Sequence, residues 1–462
     1  MHSFYEIIVF SRHRVSARIA GTVVFLLVLQ MPFGEQALGS QIVDSATGAE
    51  QTFTTGYAER SYAENYHREE TYGPAPIAPL EEDKDRWRLH KGLKFSAAYD
   101  SNVFSARTDP KDDQIYNYVP YVGVSRQGNY HYIESFYYLS YFDYVENSKL
   151  SNVVHLHTLK VEYKKNKWRW VLTNQYKPQV STAAGERTEL SSGSSGRATT
   201  ESDQAQIEAE YAVTPKTKLS LLYDYHLMNF PKKGNSLSAI QFSEQRNAIT
   251  PKISYSWTPK TTLYASYRLE GAFTKDGQFS YRTYLPLAGA TLRLTPKMSL
   301  DTSAGWKTRD FLEHTLPTVD GLIYKASLSR KLTTKITSTF SFVKDFNTDY
   351  VTTGAQSSKI DSTFYGLNMS YAFSHSMSLN AGAGYTLTHQ GGLITKKDIE
   401  NSTLTFTREQ EDQQFQWDLD LRWTPAPDKN LSLGYESTKR NSSFKDSEYD
   451  DKKVVGAAEF VF

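Results

Sequence analysis

The chain of 462 residues contains no cysteine, which excludes disulfides, thiolate catalysis and cysteine-ligated metals. It also lacks an excess of either charge, because its formal net charge is +1, whereas a nucleic-acid-binding protein normally carries a basic excess. Long apolar runs are scarce, and the mean hydropathy is −0.55. One stretch at the extreme N-terminus is apolar enough to be compared with a transmembrane helix. We therefore expect neither a nucleic-acid partner nor a bundle of membrane helices.

Aromatic side chains, in contrast, are abundant, with 32 tyrosines, 24 phenylalanines and 7 tryptophans. A polar chain that is rich in aromatic residues is typical of a transmembrane β-barrel. Only every second residue of each strand meets lipid in such a barrel, and aromatic residues line both membrane interfaces. The composition therefore favours a barrel in the outer membrane of a Gram-negative bacterium, with outer-membrane lipid as its surroundings.

The N-terminus has the pattern of an export signal. Basic residues around Arg14 precede the short apolar stretch 19–29, and the small residues Ala37 and Gly39 follow it. This order predicts a signal peptide over residues 1–39. An uncleaved membrane anchor is the alternative, but the apolar stretch is too short to span a bilayer comfortably.

The segment 40–86 shows no clean periodicity. It contains Pro74, Pro76 and Pro79 and then the acidic residues that begin at Glu81. Proline-rich spacing followed by acids is typical of a linker. We place this linker in the periplasm, where it either docks a partner of polysaccharide export or is a plain disordered leader.

From Trp87 onwards the sequence alternates with a period of two. In the stretch 415–423, one face carries Phe415, Trp417, Leu419, Leu421 and Trp423, and the other carries Gln416, Asp418, Asp420 and Arg422. A helix cannot separate the residues in this way, whereas a strand with one face in lipid and one in water does.

The connections between the alternating stretches are short and long in turn. The short ones share the sequence Thr-Pro-Lys at 214–216, 258–260 and 295–297. Long polar loops, such as 179–201 and 390–410, lie between them. This order predicts an all-β, up-and-down antiparallel barrel over residues 87–462 with about 18 strands, short periplasmic turns and long external loops. A soluble β-protein of this length would instead divide into domains with separate cores.

The last strand ends in an aromatic residue. Val454, Phe460 and Phe462 share one apolar face, and Phe462 is the final residue. Outer-membrane barrels commonly end in this way, and the cell's barrel assembly machinery recognises the terminal strand. The pattern favours that targeting role for Phe460 and Phe462 over the alternative, an ordinary closing strand.

A barrel of 16–18 strands leaves an aqueous channel, so its inward side chains are the candidate functional residues. The alternation predicts that the lumen is lined by Lys160, Glu162, Arg169, Glu208, Glu210, Asp224, Lys252, Arg268, Glu270, Asp301, Lys307, Asp418, Asp420, Arg422 and Glu436. Lys177, Arg293 and Lys325 are expected on the same face, so that nine basic and nine acidic side chains are present. This balance suits neutral or weakly charged hydrated solutes. Three inward aromatic residues, Tyr132, Tyr138 and Tyr264, either stack on sugar rings or pack beneath a loop.

One short motif carries a resemblance to a known family. The run Tyr99-Asp100-Ser101-Asn102-Val103-Phe104 ends the first predicted strand, and the second predicted strand contains Pro120. Both features resemble the putative β-barrel porin 2 family, over a layout that extends from Trp87 to Phe462. The resemblance implies an 18-stranded barrel that serves as the outer-membrane exit for exopolysaccharide. A general diffusion porin, and a plugged barrel used as an anchor or receptor, are the alternatives.

Other chemistry has weak support. Asp100 and Asn102 could bind a cation together with Asp109, Asp112 and Asp113, but Asp and Asn also favour turns and strand ends, and the spaced loop of a calcium hand is absent.

His155 and His157 are two residues apart and could share a strand face, yet no third metal ligand is identifiable. We find no nucleophile elbow and no phosphate-binding or dinucleotide motif. We therefore expect no enzyme activity, no cofactor and no metal.

Overall fold

The computed structural model describes residues 86–103, 110–182, 197–229, 244–274, 280–312, 318–351, 356–397, 403–443 and 448–462. The predicted signal peptide 1–39 and all but the last residue of the linker 40–86 lie outside these ranges.

The described residues form eighteen strands. The strands are β1 (Trp87–Asp100), β2 (Asp113–Gln127), β3 (His131–Tyr144), β4 (Asn152–Lys165), β5 (Trp168–Thr182), β6 (Arg197–Ala212), β7 (Thr217–Asn229), β8 (Glu244–Thr258), β9 (Thr261–Thr274), β10 (Tyr281–Thr295), β11 (Met298–Phe311), β12 (Val319–Lys331), β13 (Ile336–Val351), β14 (Gln356–Ala372), β15 (Met377–Lys397), β16 (Thr403–Ala426), β17 (Lys429–Ser442) and β18 (Tyr449–Val461). A single 3-10 turn, Ser148–Leu150, lies between β3 and β4. Within these ranges no helix is long and apolar enough to cross a membrane.

Each strand pairs in antiparallel fashion with the strand that follows it in the chain, and β1 pairs with β18. The closing pair runs from Gly92 opposite Val461 to Asp100 opposite Lys453. Closure removes both sheet edges, which is required where no water is present to satisfy backbone groups. The predicted all-β, up-and-down barrel of 18 strands is therefore confirmed.

The two faces of the sheet differ in the way that the alternation predicts. On β16, the side chains of Phe415, Trp417, Leu419 and Trp423 are exposed on the outside. On the opposite face, the side chains from Asp412 to Asp420 are buried or half-buried, and Arg422 at the turn end is exposed. An exposed apolar exterior is stable only against lipid, so this face is the membrane surface.

The threonine of each Thr-Pro-Lys sequence closes a short turn. The Thr258 hydroxyl accepts the N–H of Lys260 at 3.1 Å, and Thr295 accepts the N–H of Lys297 at 3.2 Å. Thr214 accepts the N–H of Thr217 at 2.9 Å. Because threonine hydroxyls mimic a backbone turn in this way, the recurring sequence has a direct physical cause. We call this end of the barrel the turn end and the other the loop end.

The prediction of a long loop over residues 390–410 was largely wrong. The region 390–410 was expected to be a polar loop, but β15 continues to Lys397 and β16 begins at Thr403. The register of the two strands continues without interruption to Lys397 opposite Thr403. The run of β-branched residues around Ile394 and Thr405 favours extended backbone, so the hairpin extends although its polarity resembles that of a loop. The predicted loop 179–201 is shortened in the same way, to the residues between Thr182 and Arg197.

Candidate functional site on the interior wall

The strand registers place the residues expected to line the lumen on the interior face, opposite the exposed apolar side chains. These residues are Lys160, Glu162, Arg169, Glu208, Glu210, Asp224, Lys252, Arg268, Glu270, Asp301, Lys307, Asp418, Asp420, Arg422 and Glu436. The interior wall of the barrel is therefore the candidate functional site.

Several of these charges form ion pairs, either within one strand or with a strand one or two positions away. Arg169 lies 2.9 Å from Glu162 and 3.9 Å from Glu208. Arg268 lies 2.8 Å from Asp224 and 2.9 Å from Glu270. Each of these arginines faces two carboxylates, and the partial cancellation of opposite charges weakens the field that these groups project into the lumen.

Two further pairs involve partners that the sequence reasoning did not select. Lys307 Nζ donates to Asp345 Oδ1 at 3.1 Å and to the Phe346 carbonyl at 2.7 Å. Arg440 Nη2 donates to Asp412 Oδ2 at 2.5 Å. All four ionised side chains are buried. The alternation within β16 and β17 would have placed Asp412 and Arg440 on the interior face, whereas nothing in the sequence near Asp345 shows its partner.

Other predicted residues have neutral partners. Asp301 accepts a hydrogen bond from Thr291 at 2.7 Å, and Glu436 accepts one from the side-chain amide of Gln416 at 2.7 Å. Lys252 Nζ lies 4.7 Å from the ring centre of Tyr264. These contacts hold the charged side chains against the wall.

The interior aromatic residues on β2 and β3 form a packed cluster. The Tyr121 and Tyr138 ring centres are 5.4 Å apart, and those of Phe136 and Tyr138 are 5.9 Å apart. Tyr138 is only 1% exposed. Its ring is therefore a packing element and not a surface on which a sugar can stack, so the packing alternative holds for this residue.

A second interior cluster lies towards the loop end of β9–β13. Its members are Ala272, Tyr281, Leu285, Phe311, Val319, Ile323 and Phe346. The buried guanidinium of Arg309 lies 4.0 Å from the ring centre of Tyr281, which places a cation on an aromatic face. The interior wall therefore alternates between apolar clusters and paired charges around the barrel.

The motif at the end of β1 joins the first strand to the last. Asp100 Oδ1 accepts the N–H of Asn102 at 2.9 Å, and the side-chain amide of Asn102 donates to the Asp450 carbonyl at 3.2 Å. The Tyr99 hydroxyl donates to Asp112 at 3.0 Å. Asp109 and Phe104, which were included in the expected cation site and the family motif, lie outside the described residues.

Asp113 is engaged in ordering a loop. Its carboxylate accepts the N–H groups of Glu146 and Asn147, each at 3.0 Å, and the side-chain amide of Asn147 at 2.9 Å. Within the described ranges, no group of three or more His, Asp or Glu side chains is placed to hold a metal ion. These contacts support the turn-forming role of the motif and its neighbours.

His155 and His157 share the lipid-facing side of β4. The His155 ring lies 2.5 Å from the hydroxyl of Tyr137, and the His157 ring lies 3.1 Å from the hydroxyl of Ser135. Each imidazole is therefore hydrogen-bonded to a β3 residue diagonal to it, two positions from its direct partner in the register.

A closed sheet of eighteen strands with an apolar exterior defines an integral outer-membrane β-barrel. The sequence profile of the family described as putative beta-barrel porin 2 matches residues 244–459. This match confirms the family resemblance and covers most of β8 to β18, whereas the motif at Tyr99–Asn102 lies outside it. The protein is therefore a porin-like barrel of the outer membrane, and porins are channels rather than enzymes.

Several solved barrels are similar to this chain. Pseudomonas aeruginosa OpdQ is 10% identical with a TM-score of 0.46, over 81% of this chain and 99% of that one. Acinetobacter baumannii OccAB4 is 11% identical with a TM-score of 0.46, over 84% of this chain and 100% of that one. The siderophore receptor PirA from Acinetobacter baumannii is 6% identical with a TM-score of 0.45, over 82% of this chain and 81% of that one. No curated protein matches this chain.

Proposed function

We propose that the barrel is a conduit through which exopolysaccharide leaves the cell across the outer membrane. The observation that carries this proposal is the pairing of interior charges at the wall, and the contact of Lys307 with Asp345 at 3.1 Å is among the most buried examples. A lumen with balanced charges suits a neutral or weakly charged, hydrated polymer. The resemblance to the porin family, whose members often belong to loci for exopolysaccharide production, points to the same substrate class.

A general diffusion porin is the second candidate. The number of strands favours it equally, because an 18-stranded barrel leaves an aqueous channel whatever its solute. A plugged barrel that serves as an anchor or receptor is the third. The three functions differ in what they conduct and in what they bind.

The first experiment is single-channel conductance of the refolded full chain in planar bilayers, with and without oligosaccharides of increasing length. For a polysaccharide conduit we expect ohmic conductance with little ion selectivity, and blocking events that lengthen as the neutral oligosaccharide grows. For a diffusion porin we expect the conductance without length-dependent blocking. The control is a chain that lacks residues 183–196, between β5 and β6.

Absence of conductance in both the full chain and this deletion would overturn the pore and leave an anchor or receptor. Export itself is tested in cells by deletion of the gene. Loss of polymer at the cell surface, restored by the intact gene, supports the conduit, whereas normal surface polymer contradicts it.

We also propose that the segment 40–86 docks a periplasmic partner of polysaccharide export. Its proline-rich spacing suits an extended, accessible chain. Removal of residues 40–85 from the exported protein is expected to abolish polymer secretion while the refolded barrel keeps its conductance. Normal secretion by the shortened protein would show that the segment is a plain leader.

A further inference from the structure

One part of the barrel wall, on β13–β15, carries no charged residue over three adjacent stretches. The stretches 336–343 of β13, 362–372 of β14 and 378–388 of β15 contain no Asp, Glu, Lys or Arg on either face. We call these three adjacent stretches the neutral wall. Charged interior residues resume on β16 with Asp418 and Asp420. The Asp418 carboxylate reaches over Gly382 of β15, where a Cβ atom would overlap it, so one carboxylate borders the neutral wall beside Asn368.

Phe364 lies at the centre of the neutral wall, on its interior face. Gly366 pairs with Gly384 on the neighbouring strand. A Cβ atom on Gly366 would lie 2.7 Å from Cε1 and Cζ of Phe364, and one on Gly384 would lie 3.1 Å from its Cε2. The ring therefore rests on the two glycines, and only residues without a side chain permit this close approach.

Phe364 differs from other interior aromatic residues in what covers its ring. Tyr121 and Tyr138 are buried in their own cluster, and Tyr264 has the ammonium group of Lys252 4.7 Å from its ring centre. Phe364 is half-buried, because one face rests on the glycines. Part of its surface is therefore exposed, on the interior face of β14.

Neutral hydrogen-bonding side chains surround this ring. Thr386 lies directly opposite Phe364 on β15, and Gln416 lies opposite Gly384 on β16. Asn368 is exposed on the same face of β14, two residues beyond Gly366 and thus about 7 Å further along the strand. Amide and hydroxyl groups therefore lie beside an accessible aromatic face.

We propose that Phe364 and the neutral wall form a binding subsite for a neutral saccharide unit. The C–H face of a pyranose ring is apolar and packs on an aromatic face, while its hydroxyl groups exchange hydrogen bonds with amides and hydroxyls such as those of Asn368 and Thr386. A few polar groups around an apolar surface are the usual composition of such sites. The inference deepens the proposed function, because it names the substrate class that the conduit would hold.

The test compares four variants in planar bilayers with maltohexaose as the neutral probe and an oligomer of uronic acid as the charged one. Phe364→Ala removes the ring, Phe364→Leu keeps apolar volume without a flat face, and Phe364→Trp keeps a flat face. Phe340→Ala is the matched control, because Phe340 is an exposed, lipid-facing side chain on the adjacent strand β13.

We expect Phe364→Ala and Phe364→Leu to weaken block by maltohexaose about three- to tenfold, the loss of one aromatic contact, and Phe364→Trp and Phe340→Ala to leave it unchanged. Unaltered block in both Phe364→Ala and Phe364→Leu, or block by the uronic oligomer that exceeds block by maltohexaose, would overturn the subsite.

Titration calorimetry of the purified, detergent-folded full chain with maltohexaose separates this inference from the pore. Binding that falls in the same order of variants supports the subsite even when the wild-type chain does not conduct. Ohmic conductance without any saccharide binding leaves the pore standing and removes the subsite.

Discussion

Arg268 on β9 reaches across β8 to bind Asp224 on β7, with its Nη1 2.8 Å from Asp224 Oδ2. The residue of β8 that lies between them is Ala248, which pairs with Asp224 on one side and with Glu270 on the other. Because the alanine side chain is small, the guanidinium passes over it and reaches both carboxylates. One side chain in this way links β9 to β7 across the intervening strand β8.

Replacement of Arg268 is expected to destabilise the barrel. Arg268→Gln leaves Asp224 and Glu270 without their cation in a site where the side chains are 10% and 11% exposed. Breaking a buried pair by removal of one partner costs about 3–5 kcal/mol. Because two carboxylates then remain without the guanidinium, we also expect the ion selectivity of the conductance to shift towards cations. Urea titration of folding into detergent micelles measures the first effect, and the reversal potential in a salt gradient measures the second.

The matched control is Arg422→Gln. Arg422 pairs with Asp420 at 2.6 Å, but its side chain is 56% exposed, and exposed pairs contribute about 0–1 kcal/mol. If both variants lose the same amount of stability, burial does not decide the strength of these pairs.

Lys307 and Asp345 allow a test of two alternatives. Either the buried ion pair stabilises the barrel, or each charge only compensates for the burial of the other. Lys307→Met leaves Asp345 beside the apolar cluster that contains Ile323 and Phe346, and we expect a loss of about 3–5 kcal/mol. In Lys307→Met/Asp345→Asn the unpaired charge is gone, and the amide oxygen can still accept the N–H of Phe346, a contact of 2.7 Å in the native protein.

The double variant is therefore expected to recover most of the loss in the same urea titration. A double variant as unstable as Lys307→Met would show that the ammonium group itself, through its bond to the Phe346 carbonyl, is what the structure requires.

Gly123 is expected to tolerate no side chain. A Cβ atom at this position would overlap the ring of Phe136, whereas a Cβ on Gly456, on the lipid-facing side of β18, would have no atom within 4 Å. We expect Gly123→Val to destabilise the folded barrel by about 1–3 kcal/mol, as overpacking does, and Gly456→Val to be neutral or slightly stabilising, because valine favours strands.

The measurement is the fraction of folded protein across a urea series, with Gly123→Val/Phe136→Ala as a further variant. Partial recovery in this double variant is expected. Equal behaviour of the two glycine variants would contradict the overlap.

Substitution of Phe462 distinguishes a role of its side chain in barrel assembly from a role in the stability of the closed barrel. Its backbone N–H donates to the Lys91 carbonyl at 2.9 Å, but its side chain is 72% exposed. The ring therefore adds little to the stability of the finished barrel, and we expect Phe462→Ala to change the free energy of unfolding of refolded protein by less than about 1 kcal/mol.

In cells, the predicted targeting role of Phe462 requires that the same variant lower the amount of assembled barrel several-fold. Heat-modifiable electrophoretic mobility of outer-membrane fractions measures this amount. Phe415→Ala, which removes another lipid-facing ring, is the control. Normal assembly of Phe462→Ala would leave Phe462 as an ordinary residue of the closing strand.

Much of the fold could be predicted from the sequence, because in a barrel the information is local. The alternation around Trp417 and Asp418 assigns one face to lipid and the other to the interior without reference to any other strand. The Thr-Pro-Lys turns mark where each strand reverses. The region 390–410 could not be predicted in this way, because outside the membrane a hairpin needs no apolar face, and only its backbone pairing shows that β15 and β16 continue.

The site was less predictable than the fold. Alternation placed Arg268 and Lys307 on the interior face, but it did not show that Arg268 binds Asp224 two strands away or that Lys307 binds Asp345. The sequence did not predict Phe364 as an interior residue. Its neighbour Tyr365 is also aromatic, and the period of two is not visible where both faces of a strand carry aromatic rings.

The sequence by itself determined which side chains meet lipid and how many times the chain crosses the membrane, since both follow from a period of two and from turn chemistry within each hairpin. Only the tertiary structure decided which interior groups neutralise one another and where an aromatic ring rests on glycines. Those relationships depend on the stagger between strands and on closure of β1 against β18. Residues far apart in the chain, such as Lys94 and Glu459 at 3.4 Å, become neighbours only when the sheet is closed.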